Sequence, residues 1–149
     1  MEKVCVFNKT RQAFLSLGVS VADGHLSRLI GLLGKRKLRS DEGLWVVPSS
    51  GIHTIGVLFP IDVIYLNEQL QVIHLVENLG PCRIAPVRAQ CHSVLELPVR
   101  TIYTSQTRVG DELVICSALE MEIHWRAQQV RKAPVHESVA PASEHMGGV

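Results

Sequence analysis

The sequence predicts an α+β, mainly β fold: a compact antiparallel barrel or sandwich with one clear helix and one or two short helices. Three observations predict it. Short apolar runs rich in β-branched residues recur between clusters of turn-forming residues. The run from Ile55 to Leu66 is apolar on both alternate faces, the pattern of a strand covered on both sides. Clear helical spacing is confined to Leu26, Leu29, Ile30 and Leu33.

Taken in order, Val4 with Val6 and then Ala13 to Val21 read as extended segments, joined by the polar turn Asn8-Lys9-Thr10-Arg11 into a hairpin. Asp23 caps the clear helix, and Gly34 is placed to end it in a left-handed conformation. Lys35, Arg36, Lys37 and Arg39 follow where cations complement the C-terminal helix dipole. Leu44 to Val47 reads as a short strand and Pro48-Ser49-Ser50-Gly51 as a tight loop. The core strand from Ile55 to Leu66 contains Pro60, which lacks a ladder donor and marks a bulge or an edge. Asn67-Glu68-Gln69 turns the chain into a strand from Leu70 to Val76, and another runs from Ser93 to Leu97. Four or five antiparallel strands follow. Val99 to Thr107 is a short helix or a loop, Gly110-Asp111 a turn and Glu112 to Cys116 the last strand. Residues 1–117 therefore read as a single β-rich domain. Residues 118–132 fit both strand and helix spacing and are read as a C-terminal helix. Residues 133–149, dominated by Pro, Ala, Ser, Glu and Gly, read as a disordered tail.

Composition removes several function classes. With 46% apolar and 19% charged residues the chain has enough hydrophobic material to fold rather than stay disordered. A net charge of +1 provides no field to steer a polyanion, so no nucleic-acid partner is expected outside the local cluster at Lys35 to Arg39. The start, MEKVCVFNKTRQ, has no secretory pattern, and the longest apolar run is well short of the roughly 18 residues that span a bilayer. The expectation is a soluble cytoplasmic protein with no membrane partner. Cys5, Cys82, Cys91 and Cys116 form no C-x-x-C pair, so reduced, mostly buried thiols are expected rather than a zinc site or a disulfide framework. No cofactor or metal is expected.

Asp62 is the most informative residue, because a carboxylate inside a two-sided apolar strand costs several kcal/mol unless it is paired or hydrogen-bonded. His53, Arg83, Arg88 or backbone amides freed near Pro60 are its candidate partners, and the role is either structural bracing or function. His53-Thr54 sits where a loop enters the core strand, a position from which scaffolds present side chains to ligands. Glu96 alternates with Leu95 and Leu97, which places it on the opposite face, toward solvent. No G-x-S-x-G elbow and no glycine-rich phosphate loop is present.

These motifs resemble the family called domain of unknown function 192, of bacteria and archaea. Gly31-Leu32-Leu33-Gly34, Glu42-Gly43-Leu44, Ile52-His53-Thr54, Phe59-Pro60-Ile61-Asp62-Val63, Pro81 with Arg83, Val94-Leu95-Glu96-Leu97-Pro98 and Gly110-Asp111 follow the family's order from about Phe7 to Ile115. The resemblance implies a compact, mainly antiparallel β structure and brings no established activity. It also shows departures. Ser49 stands where relatives often have Cys, and Val57 and Leu58 where they often have Met and Arg. Gln69-Leu70 stands where they turn on Asp-Gly, so the hairpin there is expected to be longer or irregular. Arg100 replaces a frequent glycine, where it would alter the rim of any pocket.

The functional expectation is a non-enzymatic module that binds a small polar ligand or a protein partner at a site formed by His53, Thr54, Asp62, Arg83 and Glu96. Two alternatives stand beside it. One is a hydrolase or lyase that uses His53 with Asp62 or Glu96 as an acid/base pair. The other is an accessory factor in surface-appendage or secretion assembly, since some relatives resemble proteins associated with pilus assembly or secretion systems. A monomer or weak homodimer is expected.

Overall fold

The computed structural model describes residues 1–24, 27 and 30–132. Nine strands are described: β1 (Lys3–Asn8), β2 (Ala13–Ala22), β3 (Glu42–Val46), β4 (Ile52–His53), β5 (Ile61–Leu66), β6 (Val72–Leu79), β7 (Ile84–Ala85), β8 (Ser93–Pro98) and β9 (Leu113–Cys116). Two helices lie wholly within the described residues, α1 (Thr101–Ser105) and α2 (Ala118–Lys132), and Ser27 and Ile30 are also helical. Seven strands form one sheet in the order β6-β5-β8-β3-β2-β1-β9, and β4 pairs with β7 in a separate two-stranded ribbon.

The sheet is antiparallel throughout except for the parallel β2–β3 pair. It curls until its outer strands meet. The Val72 amide donates to the Asp111 carbonyl at 2.9 Å, the Gly110 amide returns a bond to the Val72 carbonyl at 2.8 Å, and Gln71 bridges to Glu112. This is a barrel joined at one end, so the mainly β expectation holds. Asp111 locks the join from below: its carboxylate accepts from Asn8 Nδ2 at 2.9 Å, Arg11 Nε at 3.0 Å and the Arg108 amide at 2.9 Å. Burial opposes its ionisation, but these donors outweigh burial and hold the carboxyl below the ordinary range.

All six residues of β5 are buried, as two-sided covering requires. Ile64 and Leu66 face a cluster with Val6, Val19, Leu95, Leu97 and Ile102 of α1. Ile61, Val63 and Tyr65 face a second cluster, which the connecting segments close with Leu32, Val57 and Phe59. The core strand is shorter than predicted. It begins at Ile61, because Pro60 cannot donate to the ladder, and Ile55 to Pro60 form a loop with Leu58 exposed.

The Glu42-Gly43-Leu44 motif acquires a physical reason. A Cβ on Gly43 would lie 2.8 Å from Leu97 Cδ2 and 3.0 Å from the Glu96 carbonyl oxygen, so β3 approaches β8 too closely for any side chain there. Gly43→Ala is expected to destabilise the fold by about 1–3 kcal/mol through overpacking, measurable by urea denaturation.

Val99 to Thr107 contains the short helix α1, and the ambiguous segment after Ser117 is helical. Ser117 and Glu120 start α2 with a capping box: the Ser117 amide donates to Glu120 Oε2 at 2.9 Å and the Glu120 amide to Ser117 Oγ at 3.3 Å. The predicted helix over Asp23 to Gly34 has Leu26 and Leu29 outside the described residues. Of the rest, the Gly31 amide donates to the Ser27 carbonyl at 2.8 Å, Leu32 is buried, and Gly34 has the left-handed φ of 79° expected of it. The predicted tail, residues 133–149, also lies outside the described residues. The Asn67 to Gln71 hairpin is irregular, as expected: Leu70 is forced to a φ of 58°, and Asn67 Oδ1 accepts from the amides of Gln69 and Gln71.

Candidate functional site

The five sequence-derived residues lie in three different surroundings. Thr54 is fully buried, and its hydroxyl is consumed by backbone groups. It donates to the Gly80 carbonyl at 2.7 Å and accepts from the Arg83 amide at 2.9 Å, while the Thr54 amide donates to the Arg83 carbonyl at 2.8 Å. Thr54 therefore fastens the β4 loop to the β6–β7 connection. Thr54→Val removes the hydroxyl at constant volume and is expected to cost about 1–3 kcal/mol by orphaning the Arg83 amide and the Gly80 carbonyl. Thr54→Ser should recover most of that in the same urea titration. His53 pairs with Ile84 across the ribbon, and both it and Arg83 are exposed.

Asp62 is 1% exposed and occupies the cluster face of Leu97, its partner in β8. Its partners are two backbone amides. Asn78 at the end of β6 donates to Oδ1 and Ile102 at the start of α1 donates to Oδ2, each at 3.0 Å. None of His53, Arg83 or Arg88 reaches it with a hydrogen bond or an ion pair. The carboxylate thus ties α1 to the sheet and holds Asn78 at a φ of 54°.

Glu96 lies opposite Leu95 and Leu97, on the face the alternation assigns it. That face is covered, which corrects the expectation of solvent exposure. Glu96 sits between Leu44 of β3 and Val63 of β5 and is 8% exposed. Its carboxyl makes no hydrogen bond among the described residues, and burial pushes it up to about 7.

A cleft of about 530 Å³ opens beside Asp62, lined by Glu77, Asn78, Val99, Arg100 and Tyr103. His53, Arg83 and Glu96 are not among the residues that line it. Arg100 has a φ of 73°, a conformation that glycine adopts without strain and arginine does not. Its guanidinium lies 5.5 Å from the centroid of the Tyr103 ring and has no anionic partner among the described residues. Of these residues the sequence pointed to Asp62 and, through the replaced glycine, to Arg100. Glu77, Asn78 and Tyr103 carry no local pattern that marks them, because α1 and the end of β6 meet only through the sheet order.

Elsewhere, Tyr65 Oη donates to the Pro86 carbonyl at 2.9 Å, and His74 stands 3.0 Å from Arg88 Nη2. Burial and then the Arg88 charge hold the His74 imidazole below its ordinary range. The four cysteines are free thiols, but only Cys5 is buried, with Cys91 and Cys116 half-buried and Cys82 exposed, which corrects the expectation of mostly buried thiols. Among the described residues no three His, Cys, Asp or Glu side chains converge to hold a metal ion, and no helix is long and apolar enough to cross a membrane.

Comparison with known proteins gives a family and a fold. The profile described as "Uncharacterized ACR", domain of unknown function 192, matches residues 6–115. No curated protein matches the chain. A solved structure of a protein of unknown function from Novosphingobium aromaticivorans DSM 12444 is 18% identical with a TM-score of 0.65, covering 75% of this chain and 83% of the other. A second, from Sinorhizobium meliloti 1021 and described as a proposed transcription regulator, is 21% identical with a TM-score of 0.64, covering 76% and 92%. At these identities the likeness is one of fold alone.

Proposed function

The chain belongs to the domain of unknown function 192 family, and from that premise we propose that it is a non-enzymatic binding module whose small polar ligand seats in the cleft beside Asp62. The observation that carries this reading is Arg100. An arginine held in a left-handed conformation costs roughly 1–2 kcal/mol relative to a glycine there, and local strain of this kind is retained where a site needs it. Its guanidinium, stacked on Tyr103 and without a counter-ion among the described residues, offers a fork for a carboxylate or another planar anion. Val99 and the Tyr103 ring supply apolar contact, and Glu77 supplies a negative group for a ligand that also carries an amine. Small carboxylates and zwitterions, including the end of a peptide, match that set. In this reading Asp62 braces the site, and His53, Thr54, Arg83 and Glu96 lie outside it.

The test is a thermal-shift panel of small carboxylates, amino acids and short peptides on the full chain, repeated on Arg100→Gly and His53→Ala. We expect a stabilising ligand whose effect vanishes in Arg100→Gly, a variant at least as stable as the parent to within about 1 kcal/mol because glycine relieves the strain. Loss of the response in His53→Ala instead would move the site to the β4–β7 ribbon. No stabilising compound in the panel would remove the basis for this reading.

A nucleic-acid role, which the description of the Sinorhizobium protein suggests, has less support in this chain. Net charge is +1, and in the basic cluster Lys35 pairs with Glu42 and Arg39 with Asp41. An acid/base pair of His53 with Asp62 or Glu96 lacks support as well, since both Asp62 oxygens are occupied by amides. Four free thiols suit the reducing bacterial cytoplasm, which we take as the setting.

A further inference from the structure

The family match ends at residue 115, and the helix that follows carries two apolar faces. One faces the barrel. Met121 is buried there, and Trp125 stacks with Phe7 and Phe14 at ring-centroid distances of 5.7 and 5.8 Å. At about 100° per residue, Leu119, Ile123, Ala127 and Val130 fall in line on the opposite side. All four are exposed, the three larger ones by 68, 60 and 76%. An apolar stripe turned away from the core of a surface helix has no role in folding and is a mark of contact with something else.

We propose that this stripe is a self-association surface, against which α2 of a second copy of this chain packs antiparallel. Shape favours a second copy. Read in opposite directions, the stripes place Leu119 against the partner's Val130 and Ile123 against the partner's Ala127, so every layer sets a larger side chain against a smaller one. A parallel pairing would stack Ala127 on the partner's Ala127 and leave a gap. Charge selects the same arrangement. Glu120 and Glu122 lie in the first half of α2, and Arg126, Arg131 and Lys132 in the second. Glu122 and Arg126 already pair within the helix at 2.6 Å. Antiparallel packing brings Glu120 of each chain to the partner's Arg131, both of which flank the stripe on the same side, and opposes the two helix dipoles. Parallel packing sets like charges together.

Sedimentation velocity of the full chain over three decades of concentration tests the proposal. The expected result is a reversible rise in mass from the 16.5 kDa chain to twice that value. Ile123→Glu, at an exposed position that leaves the fold intact by circular dichroism, should abolish the rise. A full chain that stays monomeric at every concentration overturns the proposal, as does a dimer that Ile123→Glu leaves unchanged. A chain truncated after Lys132 that dimerises when the full chain does not also overturns it, and assigns the stripe to the chain's own tail.

Discussion

Replacing Glu96 by Gln is expected to leave the protein about as stable as the parent near pH 5 and more stable by about 3 kcal/mol at pH 8.5. The sign follows from burial. Between Leu44 and Val63 the carboxyl has little access to water and no hydrogen-bond partner among the described residues, and its pKa is raised from 4.5 to about 7. The native state therefore holds the proton more tightly than the unfolded chain does. The contribution is fully present below 4.5 and is lost as pH rises through about 7, where the buried group must ionise. Gln keeps the volume and cannot ionise. Other titrating groups, His74 and Asp111 among them, are common to both chains and cancel in the difference. Urea unfolding of both proteins at several pH values measures it. Two stability curves that run parallel from pH 5 to 8.5 would show that Glu96 has found a partner or water, and that its burial is less complete than its place on β8 indicates.

How far such groups can be read from sequence depends on whether the information is local. The alternation around Glu96 assigned its face correctly. What covers that face comes from Leu32, Val57 and Phe59, residues of connecting segments whose path no local pattern fixes. The two-sided burial of β5 was legible for the same local reason, since six apolar or buried positions in succession leave no solvent face. Its start was overextended, because the apolar character of Ile55 to Phe59 continues beyond the point where Pro60 ends the pairing. The strands β2 and β3 were legible but their parallel pairing was not, because it joins residues more than twenty positions apart, and the two-residue β4–β7 ribbon is too short to stand out. One signal was present and unused: Ser117 with Glu120 is a capping box, and it resolves the helix-or-strand ambiguity of α2. For Asp62 the class of partner was legible and the identity was not. Backbone amides were among the candidates, but those that bind it belong to Asn78 and Ile102, brought beside β5 by the strand order β6-β5-β8 and by the turn after Pro98.

Asp62→Ala is expected to cost about 2–4 kcal/mol, because the buried Ile102 amide and the part-buried Asn78 amide each lose a bond to a carboxylate, worth roughly 1.5–3 kcal/mol where buried and less where water can replace it. Asp62→Asn should fall between it and the parent. The side-chain amide can accept from one of Asn78 and Ile102, but its NH₂ then faces the other donor. The damage should also be local in a way a ligand contact alone would not produce. α1 has five residues, too few to persist as a helix without tertiary support, and the bond from Ile102 to Asp62 Oδ2 joins it to the sheet. In Asp62→Asn, hydrogen exchange at the amides of Asn78 and Ile102 should quicken ahead of the rest of the barrel. Unchanged exchange with a stability loss under about 1 kcal/mol would show that these bonds do not brace the fold. The comparison with Arg100→Gly separates brace from contact. Both variants should lose the ligand response, but Asp62→Asn loses it together with the order of α1, whereas Arg100→Gly loses it from an intact helix.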